Sequence, residues 1–233
     1  MGILYIISTP LGNLKDITLR ALEILSEVDL VICEDTRQTL KLLNRYQIKK
    51  PLISYFQHSK LSKVEYLFKQ LADGKNLGLV TDAGTPGISD PGNKLIAEFL
   101  FLAGQTGQRT LKIVPVPGPC AAIAALSVAG FPTDKFIFLG FPPHKKGREN
   151  YFKEILEAKQ TVVFYESPYR IIKTLKQLAQ IMPQRQLVIC REMTKMFENI
   201  YRGKPLEILE ILESNKNNQK GEFTIVVKSD NRE

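Results

Sequence analysis

"NLGLVTDAGTPGISDPGNKLIAEFLFLAG", residues 76–104, passes from an apolar run through a loop dense in glycine and proline into a pattern with helical spacing. The loop, "TDAGTPGISDPG" (81–92), holds three glycines, two prolines and two aspartates in twelve positions. A short apolar run leading into a helix predicts a βα unit, so the loop lies where a strand ends. Three readings of it compete. It is a plain turn with Pro91 at the helix start, a phosphate cradle, or a seat for some other small ligand.

The same unit recurs through the first half. "ILYIIS" (3–8), "DLVICE" (29–34), "PLIS" (51–54), "LGLVT" (77–81) and "LKIVPV" (111–116) are strand candidates. Helical stretches such as "TLRALEILSEV" (18–28) lie between them. Short continuous apolar runs joined by helices imply a parallel sheet buried on both faces. Residues 1–116 therefore read as a βα-repeat domain.

"VPVPGPCAAIAALSVAGFPTDKF" (114–136) bridges to a second α/β domain, residues 117–233. Its strand candidates are "FIFLG" (136–140), "TVVFYES" (161–167), "LVICRE" (187–192), "ENIYRG" (198–203) and "EFTIVVK" (222–228). Helices are expected over 147–158, 168–181 and 205–213. Only a short helix separates the last two strands, which predicts a mixed sheet. The fold class is α/β, with two domains.

Composition narrows the function. No apolar run approaches the roughly 18 residues needed to span a membrane. "MGILYIISTPLGN" lacks the charged start of a secretory signal, and Ile6 breaks the myristoylation pattern after Gly2. A cytoplasmic protein that begins in a buried strand is expected. Cys33, Cys120 and Cys190 are single and far apart, so each reads as a small buried hydrophobe. His58 and His144 have no ligand-like spacing, and no metal is expected. The net charge of +8, from 32 basic and 24 acidic residues, points weakly to an anionic partner.

Ligands of an open parallel sheet bind beyond the carboxyl ends of its strands. Four loops leave those ends: "STPLGNLKD" (8–16), "CEDTR" (33–37), "TDAGTPGISDPG" and "VPGPCAA" (116–122). Taken singly, the first is also a helix cap through Asn13 or Asp16, and the last is close helix packing. Four such loops at one edge argue together for a ligand. There is no GxGxxG after the first strand, no P-loop lysine and no EF-hand spacing. Glycine for close approach and proline for rigidity suit a zwitterionic or amide-like ligand gripped through the main chain.

These loops carry a resemblance. "IISTPLGNLKDIT", "ICEDTR", "VTDAGTPGISDPG", "VPVPGPCAAIAALSVAG", "FLGFPP" and "FYESPYR" resemble, in order, motifs of the ribosomal-RNA-methylating branch of the tetrapyrrole methylase superfamily, the class III methyltransferases. The resemblance spans about residues 3–228. It implies S-adenosylmethionine as cofactor in a cleft between the two domains, a homodimer, and 2′-O-methylation of a cytidine ribose in small-subunit (16S) rRNA. By position it implies a cofactor seat of Pro10, Gly12, Asp82, Ala83, Gly84, Thr85, Ile88, Ser89, Cys120, Ala121, Tyr165, Glu166, Gly221 and Glu222. The family usually continues past its last strand into a short helical extension, whereas this sequence ends at Glu233.

A ribose hydroxyl is a poor nucleophile and gains from a base. Glu34, Asp35 and Glu166 are the candidates, with Arg37 and Arg170 to hold phosphates or orient the carboxylates. Structural pairing of Asp35 with Arg37 and of Glu166 with Arg170 is the competing account. "PPHKKGRENYFK" (142–153) is the expected RNA contact, through Lys145, Lys146 and Arg148, with Lys153 about a helical turn beyond. Two other functions stay open: a uroporphyrinogen C-methyltransferase on the same fold, and an inactive RNA-binding module. The "EDTR" and "ESPYR" segments favour RNA over the tetrapyrrole branch.

Overall fold

The computed structural model describes residues 1–56, 59–105 and 111–230, so His58 lies outside the described residues. The chain forms two compact units, Met1–Cys120 and Ala121–Glu233, dividing after Cys120 where residue 116 was the expected limit.

The first unit alternates β1 (Ile3–Ile7), α1 (Leu19–Glu27), β2 (Leu30–Cys33), α2 (Thr36–Arg45), β3 (Leu52–Ser54), α3 (Leu61–Ala72), β4 (Leu77–Leu79), α4 (Gly92–Gln105) and β5 (Lys112–Val116). All five strands are parallel, in the order β3-β2-β4-β1-β5. The continuous apolar runs follow from burial on both faces. Leu30 and Ile32 of β2 join a core with Leu67, Leu95 and Phe99 of α3 and α4. Val31 and Cys33 point the other way, into a core with Ala21, Leu25 and Leu43 of α1 and α2. Each fully buried Leu or Ile contributes about 1.5–3 kcal/mol, so neither face tolerates a polar substitution. The strand order also puts β2, β4, β1 and β5 side by side. The four unusual loops therefore leave one edge of the sheet as neighbours.

The second unit begins with α5 (Ala121–Ala129) and continues through β6 (Phe136–Phe138), α6 (Arg148–Glu157), β7 (Thr161–Glu166) and α7 (Ile171–Ile181). It ends with β8 (Leu187–Arg191), β9 (Asn199–Gly203), α8 (Pro205–Ser214) and β10 (Phe223–Val227). The sheet order is β6-β7-β10-β8-β9; only β6 and β7 run parallel, so the sheet is mixed. β10 is central and buried at every residue. Helices α6, α7 and α8 cover one face around Phe164, Ile189 and Ile225. The expected helix over 168–181 starts later, at Ile171. Residues Ser167–Arg170 form a turn closed by Arg170 N–H to Ser167 O at 3.1 Å. Pro168 suits its second position, where φ near −65° is required.

Candidate functional site

In the first unit the loop after β1 is tied to the loops after β4 and β5. Ser8 N–H reaches Val116 O at 3.2 Å and extends the β1–β5 pairing. Thr9 and Gly84 then exchange two backbone bonds, 2.8 Å and 3.1 Å, as a short antiparallel bridge. The Thr85 hydroxyl donates to Pro119 O at 3.0 Å, so the Ser8 hydroxyl, 3.0 Å away, must donate to Thr85. Thr9 Oγ1 donates to Thr81 O at 3.0 Å. Three loops are thereby laced into one frame.

Two glycines make that frame possible. Gly84 sits at φ +87°, a backbone conformation that side chains rarely adopt, and a Cβ there would stand 3.3 Å from Leu11 and 3.7 Å from Pro119 O. A Cβ on Gly118 would lie 2.8 Å from the Cβ of Ser8. Asp90 finishes the loop: one oxygen accepts from Gly87 N at 2.7 Å and from Gly92 N at 2.9 Å, holding the start of α4. Asp82, Ala83, Ile88 and Ser89 are exposed on this frame, Gly84 and Pro10 are buried within it, and Thr85 and Cys120 are half-buried. Gly12 is exposed in the loop after β1.

A group of carboxylates stands at the ends of β2 and β4. Asp82 accepts from Asp35 N at 3.0 Å, and Thr81 Oγ1 donates to Glu34 at 3.2 Å. Burial, and then the charge of Asp82, push the Glu34 carboxyl up; burial also raises Asp82. Asp35 goes the other way. It caps α2 through Arg37 N at 2.8 Å and pairs with the Arg37 guanidinium at 2.6 Å, which holds it down at about 2. Asp35 and Arg37 are thus a cap and its ion pair, with the Arg37 head in solvent. Glu34 and Asp82, each engaged through one oxygen, are the two carboxylates of the group whose hold on a proton is raised.

In the second unit Glu166 has a structural task. Its carboxylate accepts from Ser167 N at 2.8 Å, Arg170 Nε at 2.9 Å and Thr174 Oγ1 at 2.6 Å, with Arg148 Nη2 at 3.7 Å. With its side chain fully buried, it has no oxygen to offer a substrate. This corrects the expectation of a general base at Glu166, since both carboxylate oxygens are taken. A second correction concerns Arg148. It is only 4% exposed and donates to Gln177, Thr174 and Pro143 O, so it cannot reach a phosphate. Arg170 is likewise occupied, donating to Ser167 and to Pro142 O at 2.8 Å. Lys145 and Lys146 remain fully available, whereas exposed Lys153 faces Glu157 at 3.7 Å.

Tyr165 accepts from Ala122 N at 3.2 Å, beside half-buried Ala121, and packs its ring on Phe138 and Phe141. Gly221 lies against the Glu192 side chain. Glu222 pairs with Lys195 at 2.9 Å and donates its N–H to Glu192 at 2.9 Å. Cys33 and Cys190 are buried, and burial raises both thiols, Cys190 to about 11. Sequence reasoning missed Ser8, Thr9, Thr81 and Asp90. The available signal was a pair of hydroxyl residues directly after an apolar strand, and both Ser8 and Thr9 prove buried. Among the described residues, no group of three or more His, Cys, Asp or Glu could hold a metal ion, and no helix is long and apolar enough to cross a membrane.

Comparison with known proteins gives concordant matches. Residues 3–208 match the family described as Tetrapyrrole (Corrin/Porphyrin) Methylases. A protein of Thermotoga maritima named ribosomal RNA small subunit methyltransferase I is 42% identical over 97% of this chain and 98% of its own. The protein of that name from Bacillus subtilis is 41% identical over 100% of this chain and 77% of its own. Among solved structures, uroporphyrin-III-C-methyltransferase from Thermus thermophilus superposes with a TM-score of 0.65 at 18% identity, covering 98% of this chain and 94% of that one. That last likeness is one of fold.

Proposed function

The chain belongs to the tetrapyrrole methylase family of methyltransferases, and from that premise we propose that it methylates the 2′-oxygen of a cytidine ribose in small-subunit rRNA, using S-adenosylmethionine. One observation carries the reading: relatives named for small-subunit rRNA methylation align with this chain over 97% of its length or more, laced loops included. A homodimer and a cytoplasmic location belong to the same proposal.

The residues of the frame fit the cofactor. The loop 81–92 holds no lysine or arginine, which suits a zwitterionic amino acid and an uncharged nucleoside better than a polyphosphate. Gly84, at φ +87° and with both main-chain groups bonded to Thr9, holds the loop in the shape that displays Asp82, Ala83, Ile88 and Ser89. Asp82, Ala83, Gly84, Thr85, Ile88 and Ser89 would hold the ligand, with Pro10, Gly12 and Cys120 beside them. Ala121, Tyr165, Gly221 and Glu222 are the candidates of the second unit. When bound, the cofactor supplies an electrophilic methyl group on a positively charged sulfur.

The protein's own part is positioning and proton removal. Holding the 2′-oxygen in line with the methyl replaces a bimolecular encounter by an oriented one. Glu34 would take the hydroxyl proton as the 2′-oxygen bonds to the methyl carbon and the methyl–sulfur bond breaks, its electron pair staying with the sulfur. Its raised pKa strengthens it as a base, and such a base contributes about 10²–10⁴-fold. Thr81 fixes one carboxylate oxygen and leaves the other for the substrate. Lys145 and Lys146 supply phosphate contacts.

The experiment is transfer of labelled methyl to purified small ribosomal subunits, followed by alkaline hydrolysis. A 2′-O-methyl blocks cleavage of the following linkage, so the label should appear in an alkali-resistant dinucleotide. Label on a base, or on uroporphyrinogen offered in place of RNA, overturns the proposal.

A further inference from the structure

Tyr169 is 96% exposed although it sits in an ordered turn. Its backbone is held from both sides. Pro168 precedes it, and the turn Ser167–Arg170 is closed at 3.1 Å. Buried Glu166 fixes both ends of that turn, through Ser167 N at 2.8 Å and Arg170 Nε at 2.9 Å. A ring displayed on a rigid turn loses little entropy on binding, which distinguishes it from an aromatic on a loose loop.

The same clamp joins this turn to the basic loop. Arg170 donates to Pro142 O at 2.8 Å and Arg148 to Pro143 O at 3.2 Å. The backbone continues the connection: Tyr165 N–H reaches Gly140 O at 2.8 Å. Phe141, half exposed, packs its ring on Tyr165 at 5.4 Å. The exposed aromatic Tyr169 therefore belongs to one fixed body with exposed Lys145 and Lys146. Glu149 is the opposing charge nearby in sequence, on the first turn of α6.

An exposed aromatic face carried on the same body as two exposed ammonium groups is the composition that grips single-stranded nucleic acid: base on ring, phosphates on lysines. A duplex hides its base faces and could use the lysines alone. Resting on the rRNA reading above, we propose that Tyr169 is a stacking residue for an unpaired nucleotide whose flanking phosphates lie on Lys145 and Lys146. Glu166, Arg148 and Arg170 act as positioning residues that hold ring and lysines in register.

The test uses the full chain with two probes, a single-stranded cytidine-containing RNA oligonucleotide and an RNA duplex of equal length. Stacking predicts that Tyr169→Ala weakens single-strand binding about tenfold while Tyr169→Phe stays within twofold of wild type. Duplex affinity should move little in either variant. The sequence contains no tryptophan, so Tyr169→Trp places a single fluorescent reporter at the ring, and the oligonucleotide should quench it. Equal single-strand affinity in wild type and Tyr169→Ala, or an unquenched Trp at saturation, overturns the stacking role alone. Equal losses on single strand and duplex overturn it as well. A wild-type protein that binds neither RNA overturns the rRNA reading and this role with it.

Discussion

The Nε of Arg170 lies 2.9 Å from Oε1 of Glu166, while Nη2 of Arg148 approaches the other oxygen at 3.7 Å, all with little or no exposure to water. Two buried guanidiniums thus depend on one carboxylate. Replacing Glu166 by Gln removes the only negative charge in this contact and leaves two desolvated cations facing each other. Breaking a buried pair from one side costs about 3–5 kcal/mol. Urea denaturation of Glu166→Gln should show a loss of that size, with Thr174 Oγ1 also deprived of its charged acceptor. An unchanged midpoint would mean that the carboxylate is not what balances the arginines.

At Gly84 the expected loss is in binding. A side chain there meets both the unfavourable φ of +87° and the Leu11 methyl at 3.3 Å. Gly84→Leu should abolish S-adenosylmethionine binding in calorimetry while circular dichroism stays native, because the core clusters lie elsewhere. Retained affinity with an intact fold would move the cofactor seat off this loop.

Glu34 and Asp35 are adjacent yet should titrate with opposite signs. The Glu34 pKa is raised by burial and by Asp82, so the native state binds its proton more tightly than the unfolded chain does. Its ionisation opposes folding in full at pH values above the raised pKa, and that penalty shrinks below it and is gone only beneath the ordinary glutamate range. Glu34→Gln should therefore stabilise the protein at neutral pH, and it should slow methyl transfer by about 10²–10⁴. Wild-type transfer should decline as pH drops through the same raised pKa. The Asp35 pKa is lowered to about 2 by Arg37, so its contribution is present above the ordinary carboxylate range and is lost only as pH falls toward that value. A Glu34→Gln variant with full activity and an unaltered pH profile would remove Glu34 as the base.

Much of the fold was legible because the strands announce themselves. The run "LVIC" at 30–33 is apolar on both faces, and both faces are covered. A mixed second sheet was expected from the short helix between its last two strands, yet β9 and β10 are separated by β8 and run the same way; the antiparallel pairs are β7–β10, β10–β8 and β8–β9. The candidate seat was legible as loops but not as contacts, since the Ser8–Thr85–Pro119 chain depends on which loops become neighbours. Charge was the least legible property. "GREN" reads as an exposed helix start, yet Arg148 turns inward because Glu166, eighteen positions later, needs a partner. Sequence position carries no sign of that pairing.

The inward turn of Arg148 also changes what the basic loop can do to RNA affinity. Lys145 and Lys146 are exposed, whereas Arg148 is committed to Thr174, Gln177 and Pro143 O. Each phosphate contact on a single strand adds roughly 0.7 to the slope of log affinity against log salt. Lys145→Ala with Lys146→Ala should therefore weaken RNA binding and flatten that slope by about 1.4. Adding Arg148→Ala should not flatten it further, and should instead lower the denaturation midpoint, because it strips a buried carboxylate of one partner. Cofactor affinity should hold in the double variant, since neither lysine belongs to the candidate seat. A slope that drops only when Arg148 is removed would show that the guanidinium leaves its buried partners to meet RNA. A slope indifferent to all three would leave this loop solvated and put the phosphate contacts elsewhere on the protein.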